Sequence, residues 1–474
     1  MTGVFLVVLL SHLLLAASGL ALMQLAAPGR RLRWLPCLPY AWPTGVVVLY
    51  AVGYLFVLAG WWSMHWNYAV IAVMLLLAAA GAVLYLRAPP LPAVAMPVIK
   101  PRDWVLLALL AAKCAAVVYA ALNYPVIDSD ATAPGGYVSF AKKLGEGAAF
   151  PGGETVYQLG PSILAAWARM PLDRWYDSMI AVPWLFAWLS FIAIAAATCY
   201  RLTRHATASL ACAWLFASLP LVVHHALRPG FNDLLVACFF IATVSVLCFF
   251  YLEKGKTARF WPVVAGACLV CGALSKTEGK MWLLLLLAVG LSYWLHAFRN
   301  YPWEKILRVQ LAVVAAAWLL YLLATEIIYR IYLQTADVAD FPDVYAFVSE
   351  RFAYLGRLTA LLARYYDPAS FPAFFSALFG YGSFNVFWWL FVPMALFAFL
   401  GRSEMGARAL LIYMLAVAFF VFYVSNFTLS AQFTVMGTIV SRLFLQVSGI
   451  MLPVYCIFAR QVLEIMSRPA AAGR

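Results

Sequence analysis

Thirteen stretches of this chain are apolar over about the ~20 residues that an α-helix needs to cross a hydrocarbon layer. They lie near 4–26, 44–62, 67–86, 103–124, 179–199, 206–225, 231–252, 261–275, 281–298, 309–333, 373–398, 407–425 and 438–459. No other feature limits the fold as much. In lipid every backbone N–H and C=O must be bonded inside the protein, which leaves helices or closed barrels. The runs are too long, and too rich in Leu, Ala and Val, for the alternating barrel strands of ~10 residues. Charge agrees: 11% of the 474 residues are charged, against about 25% in a soluble domain. That is too little charge to coat a water-facing surface. The expected fold is an all-α polytopic membrane protein with about 13 transmembrane helices.

Two runs are irregular. The eighth is short, and the eleventh contains Gly380-Tyr381-Gly382, a signature of a broken or re-entrant span. Residues 1–26 read as a retained first helix, because Arg30, Arg31 and Arg33 follow the apolar run instead of preceding it as in a secretory signal.

Orientation follows from where Lys and Arg collect. With Arg30, Arg31 and Arg33 cytoplasmic and the loops alternating, nineteen of the 32 basic residues fall on that side, but only five of the 19 acidic ones. Lys113 and Arg442 fall within spans. The basic pI of 9.3 is therefore a topology signal, not a nucleic-acid signature, and the expected setting is the cytoplasmic (inner) membrane. The inner loops are short. The two long connections, 125–178 and 335–372, face out, and loops of that length are usually functional. Any chemistry is expected at the external, periplasmic face.

The first long loop begins "NYPVIDSDATAPGG". Asp128 and Asp130 follow the fourth run directly, where a carboxylate can act as a general base and two can share a divalent cation such as Mg or Mn. They can equally be a solvated loop pair. Downstream, "AKKLGEG" and "LGPSILAAWARM" read as short amphipathic interfacial helices. The turn "SKTEGK" places Lys276, Glu278 and Lys280 within five residues; it is either a functional group of charges or an ordinary solvated turn. Arg228 and Asp233 flank Pro229-Gly230 and can pair with each other or with a ligand. Arg442 interrupts the last apolar run, a default functional candidate unless it snorkels to headgroups. His224 and His225 point to different helix faces and read as interface residues. In the second long loop, Glu350, Arg357 and Arg364 recur every seven residues on one helical face, which suits an interfacial helix or a lipid-phosphate site. Cys268 and Cys271 have CxxC spacing in an apolar helix without a second pair, and read as packing residues. The sequence has no P-loop, GxGxxG or HExxH, so transport driven by nucleotide hydrolysis in this chain is not expected.

An Asp-x-Asp opening the first long external loop, a short "KTEG" turn between later helices and an arginine in the last helix, all facing one way, resemble the GT-C superfamily of membrane glycosyltransferases. Its members include the dolichyl-phosphate-mannose protein mannosyltransferases and the lipid A aminoarabinose transferases. The resemblance covers about 103–459 as a catalytic core, with 1–102 as three extra N-terminal helices and 460–474 as a short cytoplasmic tail. It implies a polyprenyl-phosphate-sugar donor, with a lipid, glycan or protein as acceptor. Asp128 or Asp130 would deprotonate the acceptor. Lys276, Arg442 and Arg228 would hold the phosphate, with Glu278 orienting Lys276 or touching the sugar and Asp233 in the same binding set. The alternatives are a transporter or flippase, and an O-antigen ligase or polymerase using a lipid diphosphate through Arg351, Arg357 and Arg364.

Overall fold

Long apolar helices dominate the computed structural model of the chain. It describes residues 2–27, 30–59, 66–89, 99–124, 137–145, 159–169, 177–229, 231–252, 260–276, 278–279, 282, 302, 368–380, 382–401, 403–427, 434–435 and 439–467. Among these there is no strand. Among the described residues eight helices are long and apolar enough to cross a membrane, or nine with one bent pair. The architecture is that of a helical membrane protein. Of the thirteen expected spans, those near 281–298 and 309–333 lie outside the described residues except for Trp282.

The helices are α1 Thr2–Leu25, α2 Trp34–Leu58, α3 Trp66–Arg87 and α4 Pro101–Asn123, then the short α5 Tyr137–Gly145 and α6 Gly160–Arg169. Next come α7 Asp177–Thr203, α8 Ala206–Ala217, α9 Pro220–Leu227, α10 Asp233–Leu252 and α11 Trp261–Ser275. The remainder are α12 Ser370–Phe375, α13 Phe387–Leu400, α14 Met405–Phe427, α15 Val440–Gln446 and α16 Met451–Ser467. The chain divides into one unit of Met1–Leu283, Asn385–Leu411 and Leu445–Arg474, and a second of Leu284–Phe384 and Ile412–Phe444.

In the first unit α10 is the central helix, with every residue buried except Phe250. It packs against α7, α11 and α16. A helix apolar on all sides suits that position. α1 and α2 approach almost backbone to backbone. A Cβ built on Gly45 would lie 1.8 Å from the Leu15 carbonyl oxygen, and one on Gly19 1.9 Å from that of Ala41. Small residues allow such contact where lipid offers helices no hydrophobic drive to associate.

One end of this unit is basic. The Arg31 guanidinium donates to the Tyr85 and Ala88 carbonyls at 3.0 and 2.7 Å, at the end of α3. Arg201 lies over the Phe249 and Trp261 rings. Thr207 donates to Asp103 at 2.6 Å, joining the starts of α8 and α4. The end of α7, the end of α10 and the start of α11 therefore lie together, and the opposite helix ends carry the site below.

Four expectations are revised. α2 begins ten residues before the run at 44, with Pro39 and Pro43 inside it; membrane helices tolerate proline because neighbours re-satisfy the freed carbonyls. The run at 206–225 is not one rod but α8 and α9, bent by 62°. Pro220 begins α9, and it cannot donate the backbone bond that would continue α8. The last run likewise breaks into α15, a 3-10 turn at Ser448–Ile450, and α16. Finally, "LGPSILAAWARM" is not an amphipathic helix with one face open: every residue of α6 but Arg169 is buried. Gly160, Ser162 and three alanines make it slim enough to be enclosed by α1, α2, α7 and α11. α5 does keep an amphipathic form, burying Tyr137, Val138, Phe140 and Leu144 and exposing Lys142.

In the second unit, α12 runs into a π-helical turn at Ser376–Gly380, and Gly382 takes φ +69°. The eleventh run is thus interrupted, as the Gly-Tyr-Gly triplet suggests. Phe374 packs edge-on against Phe422 and Phe444.

Candidate functional site

Asp233 occupies the first turn of α10 and is fully buried. A carboxylate is favoured there by the exposed N–H groups of the helix start. The preceding turn is pinned by the Trp184 indole, which donates to the Phe231 carbonyl at 2.8 Å. α11 ends at Ser275, and Lys276 follows it in extended conformation, a position that favours a cation. The carbonyls left open at that end are capped by side chains. Asn232 donates to Ser275 O at 3.3 Å, and the Tyr54 hydroxyl to Leu274 O at 3.4 Å. Tyr50 meets the Ser275 hydroxyl at 3.1 Å.

These helix ends bring opposite charges together. The Lys276 ammonium donates to Asp233 Oδ1 at 2.6 Å and lies 3.3 Å from Glu278 Oε1. Gln446, at the end of α15, donates to the same Asp233 oxygen at 2.6 Å. Its own oxygen accepts from the Trp282 indole at 2.9 Å. An indole can only donate, so it must face the amide oxygen. That leaves the amide NH₂ pointing at the carboxylate. His225 Nε2 stands 3.8 Å from Asp233 Oδ2, while Nδ1 bonds the Leu221 carbonyl at 2.8 Å.

Exposure is graded across the group. Asp233 is 0% exposed, Lys276 13% and Glu278 29%. The aspartate is the floor and the glutamate the rim. Glu278 has one oxygen on Lys276 and, among the described residues, makes no other hydrogen bond or ion pair. The turn is pressed onto α11: a Cβ on Gly279 would fall 2.0 Å from the Gly272 carbonyl oxygen. Only glycine fits there.

Of the residues singled out from sequence, Asp233, Lys276 and Glu278 meet. The solvated-turn reading of "KTEG" does not hold for Lys276, which is bonded to a buried aspartate. Arg228 caps the end of α9 and is half-buried. Arg442 is half-buried in α15 and belongs to the second unit. Asp128 and Asp130 lie outside the described residues, as do Glu350, Arg351, Arg357 and Arg364. Among the described residues no group of three His, Cys, Asp or Glu is placed to hold a metal ion; the aspartate pair considered for a divalent cation is outside them. Sequence reading missed Gln446, Trp282, Asn232 and His225 as partners. Gln446 carried the same signal as Arg442, a polar side chain within an apolar run. The two histidines do point to different sides: His225 is buried, whereas His224 is exposed.

The arrangement can hold a hydroxyl-bearing or cationic group at Glu278, and it fixes one ammonium against a buried carboxylate. No family model matches this chain, and no curated protein matches it.

Proposed function

We propose that the protein is an integral membrane glycosyltransferase that moves a sugar from a polyprenyl-phosphate donor to a lipid, glycan or protein acceptor at the external face of the membrane. The observation that carries this reading is the Asp233–Lys276–Glu278 group with Gln446, a fixed ionic cluster at span ends opposite the arginine-rich end. A donor with its tail in the bilayer presents its phosphate and sugar at that depth. A transporter would place such charges near the bilayer centre.

The residues divide the work as follows. Asp128 or Asp130 takes the proton of the acceptor hydroxyl or amine. The acceptor atom attacks the anomeric carbon in line, its new bond replacing the bond to phosphate, so the configuration inverts. Polyprenyl phosphate leaves with the electron pair. Its growing charge needs fixed cations, which are worth most where water is excluded. Lys276 and Arg228, both of the first unit, are the proposed donors. Two carboxylates already share Lys276, so its role is to be held in place, and Glu278 accepts from sugar hydroxyls. Asp233 and Gln446 are the buried anchor.

Membranes containing the protein are incubated with radiolabelled polyprenyl monophosphate sugars and endogenous acceptors. Label should pass to acceptor with the wild type and fall at least a hundredfold in Asp128→Asn or Asp130→Asn with insertion unchanged, the scale of lost general-base catalysis. Full transfer by both variants, or transfer only from a lipid diphosphate, would refute the proposal.

A further inference from the structure

Lys113 lies in the middle of α4, a 23-residue span from Pro101 to Asn123. Its Cα is about 18 Å along the axis from one end and about 15 Å from the other, further than a lysine side chain reaches. The middle of a transmembrane helix is among the most costly places for a lysine, and such a residue calls for a named partner. Among the described residues there is none of opposite charge; Glu326, in the expected span 309–333, lies outside them. The ammonium sits 5.9 Å from the Trp214 ring centroid, at the outer limit of about 6 Å for a cation–π contact.

The helix carrying it is the least enclosed of the described spans. Lys113 stands at the border of its two faces. Val117, one turn on, is buried; Leu109 and Ala116, one turn before and after on the other flank, are exposed, as are Ala108 and Ala112. Side chains three and four apart share a helix face, so Leu109, Ala112 and Ala116 form a shallow outward track next to the Lys113 position on the helix surface. Small residues at that spacing let another helix approach closely.

We infer that this face of α4 docks a transmembrane helix of another protein that carries an aspartate or glutamate at mid-span, paired with Lys113. A second copy of this chain does not supply one among the described spans. Asp103 and Asp233 are at span starts, and Glu464 is near the end of α16.

The test uses the full chain in lipid nanodiscs and a labelled synthetic Leu-Ala transmembrane peptide with a single mid-span Glu, or Gln in its place. Energy transfer should show the Glu peptide binding about tenfold more tightly, which corresponds to about 1.4 kcal/mol. Lys113→Gln should abolish the preference. Ala112→Phe with Ala116→Phe should do the same with the charge intact, because the track is filled. Equal binding of both peptides, or a Glu preference that survives Lys113→Gln, overturns the inference. So does tighter Glu-peptide binding in Glu326→Gln, which would assign Lys113 to a carboxylate of this chain.

Discussion

Asp233 Oδ1 accepts from both Lys276 and Gln446 at 2.6 Å, and each donor is held by something else. Charge-assisted bonds of this length are the strong ones. Removing one partner of a buried pair leaves a charge uncompensated, at a cost of about 3–5 kcal/mol. Lys276→Met should therefore lower the midpoint of denaturation in mild detergent. Combining it with Asp233→Leu should recover part of the loss, and strict additivity in that double-mutant cycle would show that the pair is not coupled. Gln446→Leu leaves the Trp282 indole without an acceptor and costs about 1–3 kcal/mol. Gln446→Glu is expected to be worse in the same melt, since it sets another carboxylate against Asp233. Glu278→Gln is the milder change. Its partly exposed side chain should affect sugar transfer more than thermal stability, and the two measurements together check this.

At the scale of elements, backbone proximity decides tolerance. Gly45 and Gly19 sit where α1 and α2 touch, and any side chain at Gly45 meets the Leu15 carbonyl. Gly45→Leu should leave little folded protein in size-exclusion chromatography. Gly266 on α11 has nothing within 4 Å of a built Cβ, so Gly266→Leu should elute as the wild type does; equal behaviour of the two variants would refute the close contact. The bends follow the same logic. Pro220 and the Ser448-Gly449 step interrupt runs whose hydropathy is continuous. The resulting short helices α9 and α15 bring His225 and Gln446 to Asp233, whose own helix starts at the same place.

For the whole molecule, the two helix ends of the first unit differ in charge, and the positive-inside rule turns that difference into a sidedness. In intact cells a membrane-impermeant maleimide should label Glu278→Cys and spare Arg204→Cys. Permeabilised cells should label both. Background is low, since eight of the nine native cysteines are buried and Cys114 is half-buried. The reverse pattern would place the cluster on the cytoplasmic side and remove the proposed donor geometry. If Lys113 binds a partner span, the functional form of the protein is an assembly, and labelling of Ala112→Cys by a lipid-phase probe should drop when that span is present.

By itself the sequence determined the solvent of this protein, the positions of α1, α3, α4, α10 and α11 to within a few residues, and the likeness in charge among alternate loops. These are sums over neighbouring side chains, and hydropathy adds locally. It also marked Asp233, Lys276 and Glu278, because charges inside or beside apolar runs are costly and stand out. Tertiary structure alone decided that α6 is enclosed and which groups pair. Asp233 and Lys276 are 43 residues apart and Asp233 and Gln446 213 apart. No local sum reports such a meeting. It depends on the crossing of whole helices, which glycine contacts and proline bends set.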